Sequence, residues 1–120
     1  MKKNGTIIEL LSQIIDNEAD AIMGLKRKID DDFQKTVDLI LESKGNVVFS
    51  GIGKSAIIAQ KIVATMNSTG TTAVFMHAAD AIHGDLGIVR ENDIVVILSK
   101  SGETPEIKML VPLIKLRGNK

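Results

Sequence analysis

The chain has 120 residues, room for one domain, and its fifteen basic side chains balance fifteen acidic ones, so bulk charge directs it toward neither nucleic acid nor an anionic membrane surface. Three Phe with no Trp or Tyr leave little to stack on bases, and the absence of Cys excludes disulfides, thiolate chemistry and Cys-based metal sites. The longest apolar runs have about five residues against the ~20 that a bilayer span requires, and Met1-Lys2-Lys3 leads into no secretory-type apolar core, so a soluble, cytoplasmic protein is expected.

From Thr6 to Leu41 apolar residues recur at helical spacing, with Ile8, Ile15, Ile22 and Ile29 seven apart and Leu11, Leu25, Phe33, Val37 and Ile40 on the same face. This reads as one long helix or two, with Asp30-Asp31-Asp32 as the junction because Asp favours helix starts over interiors. Such a stripe suits either covering a sheet or packing on another subunit. Gly45 ends the segment, giving an N-terminal helical part over 1–44 and a second part over 45–120.

The second part alternates short apolar runs with helical patterns. Asn46 to Ser50 is the first expected strand, and Gly51-Ile52-Gly53-Lys54-Ser55 turns into a helix reaching about Asn67, with Ile58, Ile62 and Met66 on one face. Thr71 to Met76 is the second strand, followed by a short helix and loop through His77, Asp80, His83, Gly84, Asp85 and Gly87. Arg90 to Asp93 is a polar turn before the third strand, Ile94 to Leu98, and a last helix runs to Leu116. This order predicts an α/β protein with a parallel sheet and right-handed crossovers, whose ligands bind at the carboxyl ends of the strands. Gly118 reads as a helix C-cap after which another strand is expected, so the sheet is read as truncated after its third strand-helix unit.

Two turns and one loop fall on that carboxyl edge. Ser99-Lys100-Ser101-Gly102-Glu103-Thr104 offers three hydroxyls and backbone N–H groups before a helix opening at Pro105 with Thr104 as its cap, an arrangement suited to a phosphate. Lys100 adds a point charge. Ser55 brings a further hydroxyl from the neighbouring strand end, and Lys54 an ammonium able to stabilise charge developing on a sugar oxygen. The first turn is not a Walker A loop, since Val48 stands where that pattern needs Gly; Gly51-x-Gly53-x-x-Ala56 meets the permissive dinucleotide pattern with Asp80 as a distant ribose-binding acid, a weaker reading because His77 follows the second strand directly. His77, His83 and Asp85 form the one cluster with metal-ligand chemistry, but their spacing fits no metal site, and His83 beside Asp85 better suits proton transfer or hydroxyl binding.

Taken together, Gly51-Ile52-Gly53-Lys54-Ser55, His83-Gly84-Asp85-Leu86-Gly87 and Ser99-x-Ser101-Gly102-Glu103-x-x-Glu106 resemble the SIS (sugar isomerase) family, and within it the arabinose 5-phosphate isomerases of Kdo and lipopolysaccharide biosynthesis. The resemblance implies a flavodoxin-like αβα sandwich, a homotetramer assembled partly through long N-terminal helices, and cofactor-free interconversion of D-ribulose 5-phosphate and D-arabinose 5-phosphate through an enediol. It implies that Ser55, Ser99, Ser101 and Thr104 hold the phosphate, that Lys54, His83 and Glu106 are catalytic, and that Gly53, Asp85, Lys100 and Gly102 complete the substrate contacts. No metal, nucleic acid or membrane partner is implied. Asp80 stands where the family usually has Glu, and Lys100 where the residue is often neutral. The family draws a further Glu and His, and in many members paired CBS domains, from sequence beyond the position of Lys120, so the isolated chain is expected to bind and turn over poorly. The alternatives are a non-catalytic phosphosugar-binding regulatory module and a related isomerase such as 6-phospho-3-hexuloisomerase.

Overall fold

The computed structural model describes residues 5–120, which form two compact units, one ending at Asp38 and one spanning Leu39–Lys120. In the first unit, α1 (Ile7–Gly24) opens on a reciprocal cap: Thr6 Oγ1 accepts the Glu9 N–H and Glu9 Oε2 accepts the Thr6 N–H. A 3-10 turn (Leu25–Lys28) follows, and α2 (Asp31–Glu42) begins where Asp30 Oδ1 accepts the Asp32 N–H at 3.1 Å. There are thus two helices, with the acidic triple at the start of the second, as expected; Asp30 caps α2, while α1 already ends at Gly24. Helix α1 buries none of its side chains.

In the second unit three parallel strands stand in the order β2-β1-β3, with β1 at Val47–Gly51, β2 at Ala73–His77 and β3 at Ile94–Ile97. Register is fixed along the strands from Val47 beside Ala73 and Ile94 to Ser50 beside Met76 and Ile97. Helix α3 (Lys54–Ser68) joins β1 to β2, α4 (Ala78–Ile82) and a 3-10 turn (Asp85–Ile88) precede β3, and α5 (Pro105–Leu116) follows it. Side chains alternate across the sheet, so each face of β1 has its own core. On one face Val47, Phe49 and Ala73 pack with Ala59, Ile62, Val63 and Met66 of α3; on the other Val48 and Met76 pack with Ala78, Ala81, Ile107, Leu110 and Ile114 of α4 and α5. Helices on both faces of a parallel sheet make the αβα arrangement expected from the alternating pattern.

The expected elements shift by one or two residues at their ends, for local reasons. Asn67 brackets Ala73, its Oδ1 accepting the Ala73 N–H at 2.8 Å and its Nδ2 donating to the Ala73 carbonyl at 2.9 Å, so β2 starts there rather than at Thr71. Strand β1 starts after Asn46, whose N–H is held by Asp93 Oδ1, and runs on to Gly51, which pairs with His77. Of the apolar face expected on α3, Ile62 and Met66 do pack against the core, and the correction falls on Ile58. Ile58 is exposed, whereas Ala56 and Ala59 are buried, because their small side chains let the helix approach the sheet closely. Gly118 adopts φ +84° just past α5, as a C-terminal glycine should, and the Val95 N–H on the outer edge of β3 donates to the Lys120 carbonyl at 2.9 Å.

Candidate active site

Strand order reverses at β1: the chain steps to β2 on one side and then returns to β3 on the other. In a parallel sheet this opens a crevice at the carboxyl ends of the two strands flanking the switch, here β1 and β3. The Leu98 N–H donates to the Ser50 carbonyl at 2.8 Å, so pairing persists to the last residue before the Ser99 turn. The two polar turns singled out in the sequence thus leave from hydrogen-bonded neighbours.

The first turn is shaped by glycine. Gly51 brings β1 so near α3 that a Cβ there would stand 3.1 Å from the Ala56 nitrogen, and Gly53, at φ +59° and ψ −131°, takes a conformation open to few residues with a side chain. Gly53 is also the N-cap of α3 and supplies no capping side chain. The first N–H groups of α3, at Lys54 and Ser55, therefore lie at an end where the macrodipole is positive. Ser55 is half-buried in this first turn and Lys54 is exposed beside it.

The second turn is held by its own hydroxyls. The Gly102 N–H donates to Ser99 Oγ at 2.8 Å and the Glu103 N–H to Ser101 Oγ at 3.2 Å, with Gly102 at φ +70°. Each serine oxygen thus accepts from the turn while its O–H remains able to donate outward. Glu103 pairs with Lys108 one helical turn into α5, which draws that carboxylate along the helix; both groups are well exposed, so the pair contributes little stability. Thr104 does occupy the N-cap of α5 with Pro105 in the first turn, but it makes no capping side-chain bond, contrary to the expectation that its hydroxyl caps the helix. Its Oγ1 is buried and without a hydrogen-bond partner among the described residues. A second helix N-terminus at this edge is therefore uncapped by a side chain. Glu106 sits half-buried in its first turn.

Of the histidines, His77 closes β2 and caps α4, its Nδ1 accepting the Ala79 N–H at 3.2 Å, and it meets the Phe75 ring edge-on with centroids 6.3 Å apart. That is a structural post. His83 ends α4 with an exposed imidazole, and Asp85 opens the following 3-10 turn, also exposed. Because α4 follows β2 and shares a core with α5, His83 and Glu106 belong to the layer on one face of the sheet, while Lys54 and Ser55 start the helix on the other. Asp80 lies within α4, not at a strand end. No group of three metal-ligating side chains occurs among the described residues.

One residue of the same edge escaped the sequence reading. Ser50, next to last in β1, is fully buried and its Oγ has no hydrogen-bond partner among the described residues. The signal was present: a lone hydroxyl inside an apolar strand, just before the glycine turn.

A family model described as the SIS domain matches residues 40–120. The arabinose 5-phosphate isomerase KdsD of Pseudomonas aeruginosa is 46% identical over 98% of this chain and 36% of its own length. Arabinose 5-phosphate isomerase KpsF of Escherichia coli O6:H1 is 41% identical over 95% of this chain and 35% of its own. A solved Escherichia coli CFT073 protein in complex with arabinose 5-phosphate superposes with a TM-score of 0.88 at 40% identity, covering 98% of this chain and 62% of that one. The chain spans about a third of the length of these curated relatives. With its reversed parallel sheet, its two hydroxyl-bearing turns on adjacent strand ends and a family match over most of its length, this chain belongs to the SIS domain family.

Proposed function

We propose that the protein is an aldose-ketose isomerase interconverting D-arabinose 5-phosphate and D-ribulose 5-phosphate, the opening step of Kdo and lipopolysaccharide biosynthesis. The observation that carries this reading is that two helices without side-chain caps begin just after the neighbouring strands β1 and β3, in turns whose residues include Ser55, Ser99, Ser101 and Thr104. It is supported by relatives named arabinose 5-phosphate isomerases and by a structural neighbour holding arabinose 5-phosphate.

In this reading the four hydroxyls and the Ser55 amide bind the phosphate, with Lys100 adding charge, Gly53 letting the backbone come close and Gly102 shaping the turn that presents Ser99 and Ser101. The sugar extends across the sheet edge toward His83, Asp85 and Glu106. A base removes the C2 proton of the aldose, the carbonyl oxygen at C1 gains a proton, and the enediol is reprotonated at C1 as the 2-hydroxyl loses its proton to give the ketose. Glu106 and His83 are the proton-transfer groups, and Lys54 stabilises the enediolate oxygen. The chemistry needs no cofactor or metal.

The same proposal takes residues 45–120 as phosphosugar-binding and residues 1–44 as an assembly segment of a cytoplasmic homotetramer. Support for assembly comes from α1, whose Ile7, Ile8, Leu10, Leu11, Ile15 and Ile22 are each more than half exposed. No described helix is long and apolar enough to cross a membrane. The test is isomerisation by the full-length protein in D2O: deuterium entering C2 of arabinose 5-phosphate supports the enediol route. Binding without isomerisation or exchange would instead indicate a sensor.

A further inference from the structure

Ser50 is the one fully buried polar side chain on the central strand, and it lacks a partner where the surrounding core is apolar. An unsatisfied buried hydroxyl carries an uncompensated desolvation penalty, so a site that keeps one calls for a reason. Alternation along β1 puts Ser50 on the same face as Val48, whose core neighbours are Met76, Ile107 and Leu110. That is the face covered by α4 and α5. At the head of α5 on this face stands the other orphan, Thr104 Oγ1. Two unpartnered hydroxyls, one at the next-to-last position of β1 and one on the N-cap of α5, thus lie on one face of the sheet toward its carboxyl edge, and they do not bond each other in the free protein.

We propose that Ser50 is a positioning residue for the sugar phosphate, an inference that rests on the isomerase reading above. When a phosphate arrives, the Thr104 side chain turns out of its buried position to donate its proton to a phosphate oxygen and brings its own oxygen within reach of the Ser50 O–H, so ligand binding satisfies both hydroxyls together. A hydrogen bond already engaged on one side is a better partner on the other, which couples the floor of the crevice to the phosphate. Ser50 touches neither the sugar nor the reacting carbons. Its effect is on binding.

The test compares Ser50→Ala, Ser50→Thr and Ser99→Ala in the full-length protein, reading KM and kcat for arabinose 5-phosphate, competitive inhibition by inorganic phosphate, and thermal unfolding. Removing one neutral hydrogen bond should raise KM and weaken phosphate inhibition about three- to tenfold in Ser50→Ala with kcat nearly unchanged. Because the deleted hydroxyl is unsatisfied in the free protein, Tm should hold or rise. Ser50→Thr, which keeps the hydroxyl on a strand-compatible side chain, should restore KM. If Ser50→Ala lowers Tm and leaves KM and phosphate inhibition at the parent values, Ser50 is only a core residue and the inference is overturned. If Ser99→Ala also leaves KM unchanged, the phosphate assignment itself fails; a raised KM in Ser99→Ala alone confines the failure to Ser50.

Discussion

Replacing Asp93 by alanine should loosen the base from which both polar turns are projected. Asp93 is 4% exposed and precedes β3; its Oδ1 accepts the Asn46 N–H before β1 at 2.8 Å, and its Oδ2 accepts the Arg90 N–H at 2.8 Å. Its own carbonyl accepts from Asn119 Nδ2 at 3.0 Å, so one residue ties the amino ends of two strands to the segment after α5. A hydrogen bond to a charged acceptor contributes about 1.5–3 kcal/mol, and two of them about 3–6. Both bonds are only part-buried, so water replaces a share of that, leaving an expected loss of about 2–4 kcal/mol. At 1.4 kcal/mol per decade this corresponds to about 30- to 700-fold faster hydrogen exchange at the protected β1 and β3 amides, wherever exchange requires the sheet to open. Asp93→Asn, which keeps one of the two acceptor oxygens, should fall between wild type and Asp93→Ala. Acceleration of less than about fivefold in Asp93→Ala would refute the reasoning that this carboxylate anchors the β1-β3 pair.

Other perturbations probe the candidate site and helix α1. Ser99→Ala and Ser101→Ala should each weaken sugar-phosphate binding by about 1–3 kcal/mol, since each removes a donor to the phosphate and the acceptor that holds a turn amide; titration calorimetry on the full-length protein reads this directly. Gly53→Ala places a Cβ on a backbone at φ +59° and ψ −131°, so a loss of about 1–3 kcal/mol in stability is expected even though nothing crowds the position; an unchanged denaturation midpoint would show that the turn relaxes freely. If α1 joins copies of the chain as proposed, charged substitutions at Ile8 and Ile15 should lower the oligomeric state seen by analytical ultracentrifugation without unfolding the α/β unit. Retention of the parent assembly would remove α1 from the interface. Glu106→Gln should abolish isomerisation while leaving affinity within about threefold, a split that a phosphate ligand would not produce.

Much of the fold was legible because apolar strands and helix-start residues carry their own signals. The run Ile94 to Leu98 marks β3 to within one residue of its end at Ile97, Pro105 marks the start of α5, and the Asp30 cap marks the start of α2. Strand ends were less legible, since tertiary hydrogen bonds decide them: Asn67 on Ala73 and Asp93 on Asn46 reach across the fold. The face of α3 was misjudged at Ile58 because size, not only apolarity, chooses what meets a sheet, and Ala56 and Ala59 permit the closer approach. For the candidate site, residue types draw attention to Ser99, Ser101 and Ser55, but that their turns are neighbours follows only from the strand order, which places β1 beside β3. Whether a hydroxyl is satisfied is likewise a property of the folded core. That is why Thr104 looked like a cap, and why Ser50 drew no notice.

The proposed function requires that the turns after β1 and β3 grip one phosphate jointly. Titrating the isotope-labelled full-length protein with arabinose 5-phosphate and following its backbone amides by NMR tests this most directly. The amides from Gly53 to Ser55 and those from Ser101 to Ile107 should shift together, along one binding curve. Movement of one group while the other stays still, or two curves with separate affinities, would contradict it.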